Sequence, residues 1–199
     1  MNIHSLRWAA LTAFGLSAGI GMALVLEDPV EALVGMVLLT PVLTIVVGAS
    51  LGAFQWLEFR HRVETPGRWI LATALGLGIG LAVGIVAIEI VGQALLGHPV
   101  RLLQQAPLAR AVTMLIVGFV SGGLLGLAQL LIFRKTRRLP RMWPLLSACG
   151  LSLGFAVGSL LAQVFAGGIT SPAGVLVLVV TAGAVLGAST ARPAVGAVP

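Results

Sequence analysis

One helical motif occurs three times in this chain and limits what it can fold into. It reads Trp-x-x-x-(Thr/Ser)-Ala-x-Gly-Leu-x-x-x-Gly and begins at Trp8, Trp69 and Trp143. The hydroxyl position holds Thr12, Thr73 and Ser147, and the small position after it holds Ala13, Ala74 and Ala148. Gly15, Gly76 and Gly150 follow, each with a leucine behind it, and Gly19, Gly80 and Gly154 sit one turn further on. Ungapped matches at so many fixed offsets mark an internal repeat. Every copy lies in an apolar run of about 20 residues or more, enough at ~1.5 Å per residue to cross a hydrocarbon core of ~30 Å.

Composition agrees with a membrane origin. With 58% hydrophobic and 9% charged residues, the chain has too little polar surface to cover a soluble core. The net charge of +6 falls in short clusters between apolar runs. That is a topology signal and not a nucleic-acid footprint, so no nucleic-acid partner is expected. The lone Cys149 excludes an intrachain disulfide. His4, His61 and His98 have no Cys or carboxylate at ligand spacing, so neither a metal nor another cofactor is expected. No phosphate-cradling glycine loop and no Ser/His/Asp set is visible, which points away from an enzyme.

Six apolar runs can be drawn: Trp8 to Leu26, Ala32 to Leu57, Trp69 to about Leu96, Pro107 to Phe133, Trp143 to Ala166, and Ala173 to Ser189. The first is expected to be a spanning helix in preference to a cleaved leader, because it is the same unit as the two internal copies. The cluster Glu27, Asp28, Pro29 and Glu31 is expected to end it. The even runs close on a second motif: Gly48-x-x-x-Gly52-x-x-Gln55, Gly122-x-x-x-Gly126-x-x-Gln129 and Gly183-x-x-x-Gly187-x-x-Thr190. Trp8 to Gln55 and Trp143 to Thr190 are both 47 residues, whereas Trp69 to Gln129 is 60. The middle unit thus carries 13 extra residues around Gln93 to Gln105, either an interfacial segment or an ordinary loop. The expected fold class is an all-α membrane domain over 1–199. Its six transmembrane helices form three parallel-repeat hairpins, about 5–60, 66–134 and 140–192, around a pseudo-three-fold axis.

Basic residues orient it. Arg7, Arg60, Arg62, Arg68, Arg134, Lys135, Arg137, Arg138, Arg141 and Arg192 share one side, leaving only Arg101 and Arg110 on the other. Both termini are therefore expected in the cytoplasm, in a bacterial inner membrane. The partners expected are the lipid bilayer and anionic lipids at the basic loops.

Glycine every four residues makes a stripe down one helix face, and the odd and even stripes are expected to pack together. Gln55, Gln129 and Thr190 lie near the even stripe, read as interhelical hydrogen-bonding groups in preference to a polar constriction. Twenty residues after each tryptophan come Asp28, Glu89 and Gln163, with Ser152 and Ser159 on the same face of the third copy. Small residues on two opposite faces suggest that the odd helices are inner. Glu89, Gln163, Ser152, Ser159 and Asp28 would then form a candidate polar axis. Glu89 lies ~30 Å from Trp69 along the helix, at the outer boundary, and is read as an interfacial carboxylate. Trp8, Trp56, Trp69 and Trp143 all fall at cytoplasmic ends and are read as an aromatic belt.

The stretch from Gly52 to Arg60, Gly-x-x-Gln-Trp-Leu-x-Phe-Arg, is followed by Pro66-x-x-Trp69. It resembles repeats in uncharacterised bacterial multi-pass integral membrane proteins. The second copy keeps Gln129, Phe133 and Arg134, and the third keeps only the glycines. This resemblance implies no activity. Two roles follow from the residues themselves: a non-catalytic bundle that binds a lipid, a partner or its own copies, and a small-solute or ion carrier along the pseudo-three-fold axis. A dry, glycine-packed centre favours the first, and a continuous polar cavity the second.

Overall fold

A computed structural model describes residues 3–60, 66–96, 106–133, 141–169 and 171–196. Among them are six helical spans long and apolar enough to cross a membrane. We number them α1 (Ile3–Ala32), α2 (Pro41–Glu58), α3 (Pro66–Leu96), α4 (Pro107–Phe133), α5 (Trp143–Ala166) and α6 (Pro172–Gly196). Most of the basic loop residues, including Arg62, Arg134, Lys135, Arg137 and Arg138, lie outside the described residues, as does the 97–105 part of the middle insertion.

Helix starts follow proline chemistry. Pro66, Pro107 and Pro172 open α3, α4 and α6, where the missing N–H would have had no partner anyway. α5 ends on Gly167 at φ 69°, and Gly168 N–H returns to Ala162 O at 2.9 Å. Only glycine adopts that left-handed conformation without strain.

One boundary differs from expectation. Helical backbone continues from Ile3 to Phe59, through the acidic cluster and past Pro29 and Pro41. Glu27, Asp28 and Glu31 are exposed, so they stay solvated on a helix and do not stop it. Each proline removes one backbone hydrogen bond and bends the path. α1 and α2 nonetheless run antiparallel, because Gly15 lies against Leu51 and Gly19 against Val47.

Each helix packs against its neighbours in sequence, and α6 returns to α1, so the six close into a ring. The seams are glycine on backbone, and their register recurs. Gly15, Gly76 and Gly150 sit over the Cα atoms of Leu51, Leu125 and Leu186; Gly19, Gly80 and Gly154 sit over Val47, Ser121 and Ala182. In the alternate seams Gly48, Gly122 and Gly183 face Ala74, Ala148 and Ala13, while Gly52, Gly126 and Gly187 face Ile70, Pro144 and Ala9. A Cβ added to Gly80 would stand 2.6 Å from Ser121 Cα, and one added to Gly183 would stand 2.5 Å from Ala13 Cα. Any larger side chain would push the helices apart.

The ring corrects the expectation of an inner trio of odd helices. Among the described residues the backbone of α5 approaches neither α1 nor α3. The two small faces of an odd helix serve its two flanking even helices: in α5, Gly150 and Gly154 meet α6 while Ser152 meets Gly118 of α4. Large apolar side chains such as Phe14, Ile79, Leu131 and Phe165 point outward, the surface a lipid-facing bundle presents.

Gly80→Val is expected to destabilise the fold by about 1–3 kcal/mol through overpacking. Gly21→Ala, with nothing within 4 Å of the added Cβ, should be neutral or stabilising by up to ~1 kcal/mol. Reversible unfolding of both variants in lipid–detergent micelles checks the contrast.

Candidate functional site

The interior of the ring is layered from one end to the other. Its middle is a leucine layer: Leu16, Leu51, Leu77, Leu125, Leu151 and Leu186, one from each helix, none more than 2% exposed and all in one apolar cluster. In α1, α3 and α5 these leucines directly follow the first stripe glycine, so the repeat that brings two backbones together also turns a leucine inward.

Toward the helix ends that carry the tryptophans comes a polar layer. Gln129 is its hub: Nε2 donates to Gln55 Oε1 at 3.2 Å and Thr73 Oγ1 at 3.1 Å, and Oε1 accepts from Trp143 Nε1 at 2.9 Å. Gln55 Nε2 reaches Thr12 Oγ1 at 3.5 Å, a long contact, and Trp8 Nε1 donates to Thr190 Oγ1 at 2.9 Å. α2 and α4 have no backbone approach among the described residues, so the bond from Gln129 to Gln55 crosses the interior. A buried amide left unpaired costs about 1–3 kcal/mol, which favours this linked arrangement over isolated glutamines.

The tryptophans close this end. Trp8, Trp69 and Trp143 are at most 1% exposed and form one cluster with Ala191, covered by Trp56 and Ile132. Trp8 and Trp143 meet edge-to-face with ring centroids 6.2 Å apart, although α1 and α5 are not neighbours in the ring. The expectation of an aromatic belt is thereby corrected for these three. They stand at the expected helix ends, but their rings are buried in the interior, where Trp8 Nε1 donates to Thr190 and Trp143 Nε1 to Gln129. Nearby, Glu58, its side chain only 9% exposed, bridges the exposed His4 (3.1 Å) and Arg7 (3.5 Å).

On the other side of the leucine layer the interior opens into a cavity of about 280 Å³. α1, α2, α3 and α5 line it with Ile20, Leu43, Leu81 and Phe155, and its charged member is Glu27.

The five residues expected on a polar axis are dispersed. Ser152 Oγ donates to Leu115 O at 2.7 Å, in the seam between α4 and α5. Ser159 Oγ donates to Ala156 O of its own helix at 2.8 Å. Gln163 is half-buried and accepts from Arg110 Nη1 at 2.8 Å, tying α5 to α4. Glu89 is half-buried on α3 and Asp28 is exposed on α1. Among the described residues no hydrogen bond joins any two of these five. The sequence reading missed the axial leucines and the inward tryptophans, although both were fixed letters of the repeat. Among the described residues no three His, Cys, Asp or Glu side chains gather to hold a metal.

What fold and site define is an all-helical bundle with six segments able to cross a membrane, sealed at one end and hollow at the other. No family model, curated protein or solved structure matches this chain.

Gln129→Leu should cost about 1–3 kcal/mol, because it leaves Trp143 Nε1 and Gln55 Oε1 without partners. Ser159→Ala, which removes only a bond within one helix, should cost ~0.5 kcal/mol or less. Equilibrium unfolding followed by tryptophan fluorescence reads both; equal effects would contradict the hub role of Gln129.

Proposed function

We propose that this chain is a non-catalytic multi-pass integral membrane protein whose close-packed bundle holds a lipid-like molecule or another membrane-resident partner and does not conduct solutes. It is built as three hairpin repeats around a pseudo-three-fold axis. Support for the symmetry comes from seam contacts that recur at equivalent offsets: Ala13, Ala74 and Ala148 each meet a glycine of the preceding even helix. The basic residues gathered by the tryptophan-bearing ends support a bacterial inner-membrane location with both termini in the cytoplasm.

The observation that carries the role is the sealed interior. Six leucines and three tryptophans, all at most 2% exposed, stand in series across any route along the axis, with the Gln55–Gln129 bond between them. A dehydrated ion meets several kcal/mol of opposition in such an apolar constriction. Opening a path would break the polar layer and separate glycine seams at once.

Proteoliposomes containing the full chain should therefore show flux of protons, alkali cations and small neutral solutes at the level of empty vesicles. Saturable flux that falls in Glu89→Gln would contradict the proposal and favour the carrier.

A further inference from the structure

We infer that the half-open cavity is a binding site for a single-chain amphiphile with a cationic headgroup, an alkyl ammonium compound, with Glu27 as its counter-ion. The inference deepens the holding role proposed above and rests on that reading. Three features of the cavity select this ligand class.

The first is the wall. Apart from Glu27 and Thr44 the lining is hydrocarbon, and Thr44 Oγ1 is already committed to Pro41 O at 2.9 Å. A cavity water requires two to four polar partners, which this lining does not supply, so an alkyl chain fits better than solvent. The second is shape. The floor is Leu16 and Leu77 of the leucine layer and the far lining residue on α1 is Glu27, eleven residues away, or about 16 Å of helix rise. A volume of about 280 Å³ is below the usual ~300–1,000 Å³ range of small-molecule pockets. It suits one chain better than the paired chains of a phospholipid.

The third is charge. Glu27 is exposed and lines the cavity, at the end away from the leucine floor. Asp28 and Glu31, also exposed, follow within four residues, so half of the six acidic residues of the chain lie between positions 27 and 31. A negative mouth over an apolar shaft attracts an ammonium group and repels a sulfate or carboxylate. The headgroup stays solvated beside Glu27 while the chain replaces empty volume against Ile20, Leu81 and Phe155, with favourable dispersion contacts along its length.

The test uses the full chain in phosphatidylcholine nanodiscs and three photolabels of equal chain length: a diazirine-bearing dodecyltrimethylammonium, dodecyl sulfate and dodecanol. The ammonium label should modify peptides containing Ile20, Leu81 or Phe155 saturably, and unlabelled dodecyltrimethylammonium should compete. Glu27→Gln should weaken its apparent affinity roughly three- to fivefold, the scale of an exposed charge pair, and leave dodecanol unchanged. Ala23→Leu, which fills the cavity, should abolish labelling by all three at those peptides. Equal affinity for ammonium and sulfate, an unaffected Glu27→Gln variant, or modification of the outer surface alone would each overturn the site. Because Glu27 is exposed, its variant stays informative even if Ala23→Leu fails to fold. Labelling lost with flux at baseline rejects the amphiphile and leaves the sealed bundle standing; labelling intact with flux above baseline does the reverse.

Discussion

Helices in lipid have no hydrophobic reason to touch, since hydrocarbon is as good a neighbour as another apolar helix. What holds this bundle is backbone contact, possible only where a side chain is missing. Every helix has two neighbours in the ring, and glycine supplies a close approach at each seam. Removing Cβ lets dispersion forces act over many atom pairs at short range and brings seam hydroxyls to carbonyls, as in Ser50 to Gly15 O at 2.9 Å and Ser189 to Leu146 O at 3.2 Å. The glycine spacing in the chain and the closure of the ring are the same fact at two scales.

Closing a ring of six helices leaves an interior to fill, and the filling differs along its length. At one end the chain uses rings and amides, and the amides link α2 and α4, whose backbones do not approach each other among the described residues. A directed bond between α2 and α4, which flank α3, fixes their relative rotation more firmly than apolar packing alone. In the middle, leucines suffice. Beyond them the lining side chains do not fill the space, and a cavity results. The directed bond across the interior thus lies toward the tryptophans, and the cavity lies toward the opposite end.

Much of this was legible in the residues. Six spans follow from the length and apolarity of the runs, and four-residue glycine spacing marked the packing faces. The partners of those faces were harder to read. Two small stripes on one helix say that it has two close neighbours, but an inner helix and a member of a ring satisfy that condition equally. The decisive difference lies in whether α5 meets α3 or α4, which no spacing encodes. Trp8, Trp69 and Trp143 were misread for a related reason. Position along a helix gives depth, and depth alone suits an interfacial belt. Direction around the helix decides, and there the buried partners come from other helices, Thr190 on α6 for Trp8 and Gln129 on α4 for Trp143. The cavity left no mark in the sequence, because it is a shortage of side-chain volume and not a pattern of residues.

The claim on which the account turns is closure: that α6 comes home to α1 through glycine. Solid-state NMR on alanine- and glycine-labelled protein in bilayers tests it most directly. Through-space cross-peaks between Ala13 and Gly183, and between Ala9 and Gly187, are predicted at the intensity of direct backbone contact. Glycines of α6 that correlate only with lipid, or cross-peaks placing α5 against α3, would contradict the ring.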